Sequence, residues 1–424
     1  MMLKNSFVYL ISTIISALIP FLLIPIFTRY LSAEQYGQIA MFSIFISATG
    51  GLLGLSVHGA ANRRYYDNID SHSLAIYNFN CILVLLLNVL AFILFLAIFS
   101  SFISEFLNIP SSWLYIGVVC AVCSVILNIR QGQWQIRNKV ISYATLQILN
   151  AILTSSFSII LIVIYSCGSE GRVWGILISL IIVLLICMTT MIKDSLVRVS
   201  VDYGALRSIY RFGMPLIPHV CGMFLLASLD RLVINKYLGV DSAGIYMVAY
   251  SFGNALNLIF QSINKAYMPW LFENLSKESK ETDIKVVKYS YLYFLFILLM
   301  NIISFLILPS LLSLYLGGDF QEIINFLPII ILGQSFNGMY LVVTNYIFYK
   351  KKNILLSSVT ISSGILNFIL LLLLVPRFGL YGAAVSFLFS VFLKFIFTWF
   401  VSCRIYPMPW LNLRLIVRGS KSVN

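Results

Sequence analysis

Charge is what this chain has least of. Only 10% of its 424 residues are Asp, Glu, Lys or Arg, while 60% are hydrophobic. A water-soluble domain carries about 25% charged residues. So little polar surface cannot cover a water-facing globule of this length, and the solvent for much of the chain is a lipid bilayer. No polar stretch is long enough to build a separate soluble domain. The sequence also lacks the G-x-x-x-x-G-K-[ST] phosphate loop, a Gly-rich dinucleotide fingerprint and any metal-ligand cluster. Those absences argue against an enzyme, a bound cofactor or ATP hydrolysis by this chain, and leave gradients or a partner to drive any work. The 7 cysteines are odd in number and scattered, which disfavours a disulfide framework. Cys120-x-x-Cys123 lies inside the apolar run Leu114–Ile126, with no second ligand cluster, and reads as small apolar packing. Ser6–Thr28 is too long for a cleaved leader and lacks an A-x-A-like exit, so it reads as a membrane span.

What is abundant is the long apolar run. A helical span needs about 20 mainly apolar residues. Twelve such runs are expected, near residues 6–28, 37–57, 77–100, 113–129, 143–166, 173–192, 213–235, 243–263, 289–312, 324–348, 354–375 and 379–402. Open sheet is excluded because lipid cannot satisfy edge hydrogen bonds, and the runs do not alternate as barrel strands do.

The net charge of +13 is dispersed between these runs, so it speaks for topology and not for nucleic acid. With the N-terminus inside, 22 of the 28 basic residues fall on the cytoplasmic side. Arg29, Arg172, Arg231, Lys236 and Arg377 fall on the other, and Lys394 lies within the last span. The lysine and arginine bias therefore places both termini in the cytoplasm.

An internal duplication is visible. Arg29-Tyr30-Leu31, Glu34 and Gly37 match Lys236-Tyr237-Leu238, Asp241 and Gly244 at a constant offset of about 207 positions. The same offset relates Trp174-Gly175-x-x-x-Ser179 to Tyr381-Gly382-x-x-x-Ser386. An even number of spans per half inserts both halves the same way up. The expected fold is an all-α polytopic bundle: residues 1–205 form a first six-helix half with the start of a cytoplasmic linker, 206–405 a second, and 406–424 a tail. A pseudo-twofold axis along the membrane normal would relate the halves, with a site at their interface. Asp202–Arg211 in the linker is expected to form a short surface helix.

Polar groups inside spans mark candidate sites. Ser251, Asn254, Asn257, Gln261 and Asn264 recur every three or four residues down the eighth span, ending at Lys265. They either face a wet cavity or glue two helices by amide hydrogen bonds. His58, Arg63 and Arg64, with Lys265 at the matching position, would make a cationic rim at the cytoplasmic mouth, unless these cations only obey the positive-inside rule. Asp230 is the one acid within an apolar run, and Arg231 follows it. Neighbours on a helix point apart, so partners elsewhere are expected for them. Lys394 either snorkels to the interface or lines the second half's lumen. Pro20, Pro25, Pro215 and Pro218 nominate the first and seventh spans for bending.

Pro20…Pro25…Thr28-Arg29-Tyr30-Leu31-Ser32-Ala33-Glu34-Gln35-Tyr36-Gly37, with the later Asp230-Arg231…Lys236-Tyr237-Leu238-Gly239…Gly244-Ile245-Tyr246, resembles the bacterial Wzx-type polysaccharide flippases. Their superfamily also holds the multidrug and toxic-compound extruders, whose MATE fold the resemblance implies, and the lipid II flippases. The resemblance spans nearly the whole chain. It implies translocation of an undecaprenyl-diphosphate-linked oligosaccharide, such as an O-antigen repeat unit, from the inner to the outer leaflet of the bacterial cytoplasmic membrane. It further implies a cavity lined by the first, second, seventh and eighth spans, and a glycan polymerase with its chain-length regulator as partners besides the phospholipid bilayer. Two rival readings remain: a cation-coupled drug exporter of the same fold, and a non-transporting scaffold of a polymerase complex.

Overall fold

The computed structural model describes residues 2–67, 70–277, 279–350 and 352–410. Most of the expected tail, residues 411–424, lies outside the described residues.

Among the described residues the α-helices are α1 (Met2–Leu22), α2 (Ile24–Tyr30), α3 (Ala33–Gly54), α4 (Val57–Arg64), α5 (Ser71–Leu107), α6 (Ser111–Ile136), α7 (Val140–Ile159), α8 (Gly168–Lys193), α9 (Tyr203–Gly213), α10 (Ile217–Leu238), α11 (Val240–Leu275), α12 (Lys280–Tyr315), α13 (Ile323–Tyr349) and α14 (Asn353–Ile405).

Among the described residues, ten helical stretches are long and apolar enough to cross a bilayer, and a bent pair, Tyr203–Leu225 with Ala227–Leu238, adds an eleventh. The last of the ten, Leu355–Ile405, has 51 residues, about twice what a bilayer requires. It is interrupted at Gly379, whose φ of 57° and ψ of −138° belong to glycine alone. Counted as two, it brings the crossings to twelve. The chain is an all-α polytopic membrane protein. Leu90, Leu94, Ile98 and Phe102 on α5, and Ile302, Leu306 and Leu314 on α12, are exposed apolar side chains suited to lipid.

The crossings pack into two compact units, residues 1–247 and 248–424. In the first, the duplicated glycines act as contact points. A Cβ on Gly37 would overlap the Val240 carbonyl, and one on Gly244 would overlap the Ala33 carbonyl. The starts of α3 and α11 are thereby pressed together, which draws α10 and the first turns of α11 into this unit. The second duplicated motif shows parallel behaviour inside each unit. Gly175 lets α8 close on the Ser158 backbone of α7, and Gly382 lets the later part of α14 close on the Leu374 carbonyl of its earlier part.

The linker helix α9 forms as expected. Asp202 caps it, its carboxylate accepting from the Gly204 and Ala205 amides, and Ala205, Ile209 and Gly213 are its buried face. Three asparagines of α5 fasten the linker. Asn78 and Asn80 donate to the Leu196 and Ser200 carbonyls, and Asn88 accepts from the Tyr210 hydroxyl.

The fourth crossing extends further than its apolar run. Arg130 stands within α6 and is 1% exposed, not in a loop. Its guanidinium reaches Asp194 at 2.6 Å and the Thr190 carbonyl at 3.2 Å, and it lies 4.3 Å from the centre of the Trp134 ring. A cation so paired can continue a membrane helix past the point where hydropathy ends it.

Candidate functional site: a cationic cavity and an interior amide network

The first unit contains a cavity of about 750 Å³ whose lining includes Arg63, Arg64, Arg207, Arg211, Tyr77 and Phe212. Backbone geometry places the first two arginines. α3 stops at Gly54, and Leu55 and Ser56 adopt left-handed φ values of 41° and 53°. α4 therefore departs in a new direction with Arg63 and Arg64 in its last turn. Gly213 seats the end of α9 against the Leu55 backbone, where a Cβ would overlap the carbonyl. That contact brings Arg207 and Arg211, one helical turn apart, to the same cavity.

Four guanidinium groups meet one carboxylate there. Asp67 pairs with Arg64 at 3.1 Å. Arg64 lies 5.3 Å from the Tyr77 ring centre and Arg63 lies 6.0 Å from that of Phe212. Like charges four residues apart on a helix repel by roughly 0.2–0.5 kcal/mol. The cavity thus carries excess positive charge, and guanidinium groups of this kind can grip an oxyanion bidentately. His58 is exposed on the same short helix, but it is not among the residues lining this cavity.

The polar row of α11 belongs to the second unit. Asn257 Oδ1 accepts from Asn337 Nδ2 at 3.0 Å, and Asn337 Oδ1 accepts from Lys394 Nζ at 2.9 Å. Lys394 also lies 4.2 Å from the Tyr340 ring centre. It thus has internal partners rather than a snorkelling role. Because an ammonium can only donate, Lys394 fixes the sense of both amides and leaves the Asn257 N–H groups as the outgoing donors. Asn264 Oδ1 likewise accepts from Asn345 at 2.8 Å. Two members of the row therefore bond α11 to α13. Asn254 is half-buried, and Gln261 and Lys265 are exposed.

Asp230 and Arg231 are paired with one another, contrary to the expectation of separate partners. Arg231 Nε is 3.6 Å from Asp230 Oδ1, which also accepts the Arg231 amide at 2.8 Å. The guanidinium folds back one turn to the Ala227 carbonyl. That carbonyl belongs to the site of a 57° bend between Tyr203–Leu225 and Ala227–Leu238. A flexible arginine can reach backwards where rigid helix geometry alone keeps neighbours apart, and here the pair satisfies backbone groups at the break.

The prolines act unequally. Pro25 has no N–H, and the first crossing breaks at Leu23, between α1 and α2. Pro20 stays inside α1. Pro215 lies in a 3₁₀ turn and Pro218 in the first turn of α10, where a missing N–H costs little. The sharp bend comes later, at the Ala227 level.

Sequence reasoning missed Arg207 and Arg211 as cavity residues and Asn337 and Asn345 as partners. The available signal for the first pair was their spacing of four on one side of an amphipathic segment. For the second pair it was amides spaced eight apart in an apolar run.

The fold and these sites define a multi-pass membrane protein with a basic cavity in its first unit. The chain belongs to the polysaccharide biosynthesis protein family, whose pattern matches residues 2–275. It is 28% identical over 379 residues to "Lsg locus putative protein 1" of Haemophilus influenzae, covering 86% of this chain and 88% of that one. It is 24% identical over 233 residues to a "Putative O-antigen transporter" of Shigella flexneri, covering 54% of this chain and 55% of the relative. In fold it is similar to the lipid II flippase MurJ in an inward closed conformation, with a TM-score of 0.74, 15% identity and coverage of 92% and 86%. It is also similar to an inward-facing MATE family multidrug resistance transporter, with a TM-score of 0.65, 15% identity and coverage of 93% and 94%.

Proposed function

We propose that this protein is a flippase that carries an undecaprenyl-diphosphate-linked oligosaccharide, of the O-antigen repeat-unit type, from the cytoplasmic to the periplasmic leaflet. The observation that carries this reading is the cavity where Arg63, Arg64, Arg207 and Arg211 face one carboxylate, Asp67. A diphosphate supplies the oxygens and charge that such a cavity lacks, and each charged hydrogen bond to it contributes about 1.5–3 kcal/mol. The family match and the resemblance to the Shigella flexneri protein support a glycan cargo. A cell interior negative by about 100 mV favours outward movement of each uncompensated negative charge by about 2.3 kcal/mol. The greasy tail can remain in the bilayer while the sugar crosses beside Asn254, Asn257, Gln261, Asn264 and Lys265. On this reading the bilayer is the bacterial cytoplasmic membrane, both termini are cytoplasmic, and a glycan polymerase and chain-length regulator receive the product. A cation-coupled drug exporter has less support, because no acid lies inside the apolar runs of residues 1–205, where Glu34, Glu105 and Glu170 are exposed at helix ends.

Arg63→Gln with Arg64→Gln removes two guanidinium contacts worth about 3 kcal/mol or more together, which weakens diphosphate binding about 100-fold. Surface glycan measured in cells should be lost while the variant remains in the membrane at the wild-type level. Full glycan at normal abundance would refute the cationic-cavity reading.

A further inference from the structure

A second cavity, of about 510 Å³, lies in the second unit between α11, α12 and α13. Its walls include Tyr267, Trp270, Tyr289 and Tyr293, with Lys285 and Asn264 as polar members. Trp270 holds the aromatic wall together, its ring centre 5.5 Å from those of both Tyr267 and Tyr289.

Along α12 the surface changes character at this cavity. Lys280, Lys285 and Lys288 are exposed in its first turns. Beyond them Leu292, Leu295, Phe296 and Leu299 are exposed, as lipid-facing residues are. Tyr289, between the two groups, is 48% exposed, so the cavity sits where headgroups give way to acyl chains. Tyr293 is two turns, or about 12 Å, further along than Lys285, and helical side chains lean back toward the N-terminus. The Tyr293 hydroxyl is buried without a hydrogen-bond partner, and such an atom costs about 1–3 kcal/mol unless something bonds it.

We propose that this cavity binds one anionic glycerophospholipid. Its phosphate meets Lys285, an ester carbonyl accepts from the Tyr293 hydroxyl, and the upper part of one acyl chain lies on Trp270 and Val342. The cation stands nearest the polar end of α12, and the aromatic wall at Tyr289 and the Tyr293 hydroxyl lie beyond it, as the ester and chain of a phospholipid lie beyond its phosphate. A zwitterionic lipid offers the same apolar contacts without net charge for Lys285. The site is independent of the flippase reading and requires only that the chain be embedded in a membrane.

The test uses the full chain in vesicles of phosphatidylcholine containing a rising fraction of either phosphatidylglycerol or phosphatidylcholine brominated in the upper acyl chain. Bromine quenches nearby tryptophan, and subtracting the Trp270→Phe signal isolates the Trp270 contribution. One lysine at the membrane surface gives an anionic-lipid preference of roughly five-fold. Lys285→Gln, at an exposed position, should bring that ratio close to one, and Tyr293→Phe should weaken binding of both lipids. An equal response to the two lipids in the wild type would overturn the proposal. So would a preference that survives Lys285→Gln, or quenching relieved by a soluble oligosaccharide, which would mark a glycan site.

Discussion

Replacing Asp194 with Asn isolates the stabilising effect of one charge in the first unit. Asp194 is the main partner of Arg130, at 2.6 Å, and Arg130 is 1% exposed on α6. The amide keeps the shape but removes the negative charge, leaving a guanidinium held by Thr190, Gln133 and the Trp134 ring. Breaking a buried pair by removing one partner costs about 3–5 kcal/mol. Asp194 is itself 30% exposed and also contacts Lys139 at 3.4 Å, so water offsets part of the loss and about 2–3 kcal/mol is expected. At about 2–4 °C per kcal/mol for a unit of this size, the melting temperature should fall by about 4–12 °C. Arg130→Met removes the buried cation along with the pair and should cost less. The double variant should then resemble Arg130→Met alone, with a coupling energy of about 2 kcal/mol. Thermal unfolding of the purified protein in detergent, followed by loss of the native peak on size exclusion, measures all four proteins. Strictly additive losses, or an Asp194→Asn protein as stable as the wild type, would show that the pair does not hold α6 to α8. pH gives an independent check. The hydrogen bond from Arg130 holds the Asp194 carboxyl below its ordinary value of 3.8. The pair's stabilisation is therefore complete above that value and is lost as pH falls through the depressed one.

Other perturbations probe other parts. Gly244→Val forces a side chain into the Ala33 carbonyl, and a loss of at least 2 kcal/mol, or no folded protein on size exclusion, is expected. Asp230→Asn should weaken the hold on Arg231 at the bend; a transport rate unchanged in a vesicle assay would reduce the pair to local structure. Lys394→Met frees the orientation of the Asn337 and Asn257 amides, and glycan export should fall several-fold while the melting temperature changes little. Replacing Arg207 and Arg211 together with Gln should impair export as the Arg63 and Arg64 variants do; unaffected export would confine the anion site to α4.

Apolar runs carry most of the fold's legibility. Their length is imposed by the bilayer, so eleven helical stretches, with the one interrupted at Gly379, fall where hydropathy places them. The capped linker helix was equally readable, because Asp202 and the amphipathic face after it are local signals. Arg130 was not, since a run of apolar residues ends at any unpaired cation, and only Asp194, 64 residues away, makes this one tolerable inside α6. The candidate site was half legible. Arg63 and Arg64 could be nominated from position, but their meeting with Arg207 and Arg211 depends on left-handed residues at Leu55 and Ser56 and the close approach of Gly213. The amide row was visible as a period, whereas its partners Asn337, Asn345 and Lys394 lie 80, 81 and 57 positions along the relevant contacts. The Asp230–Arg231 pairing turned on a side-chain conformation, which periodicity does not encode.

The meeting of Gly37 with Val240, and of Gly244 with Ala33, makes the two matching sequence segments neighbours in space. Each copy supplies the wall that limits the size of the other. A bulkier residue in one therefore requires a matching retreat in its counterpart, so the two segments cannot drift apart independently.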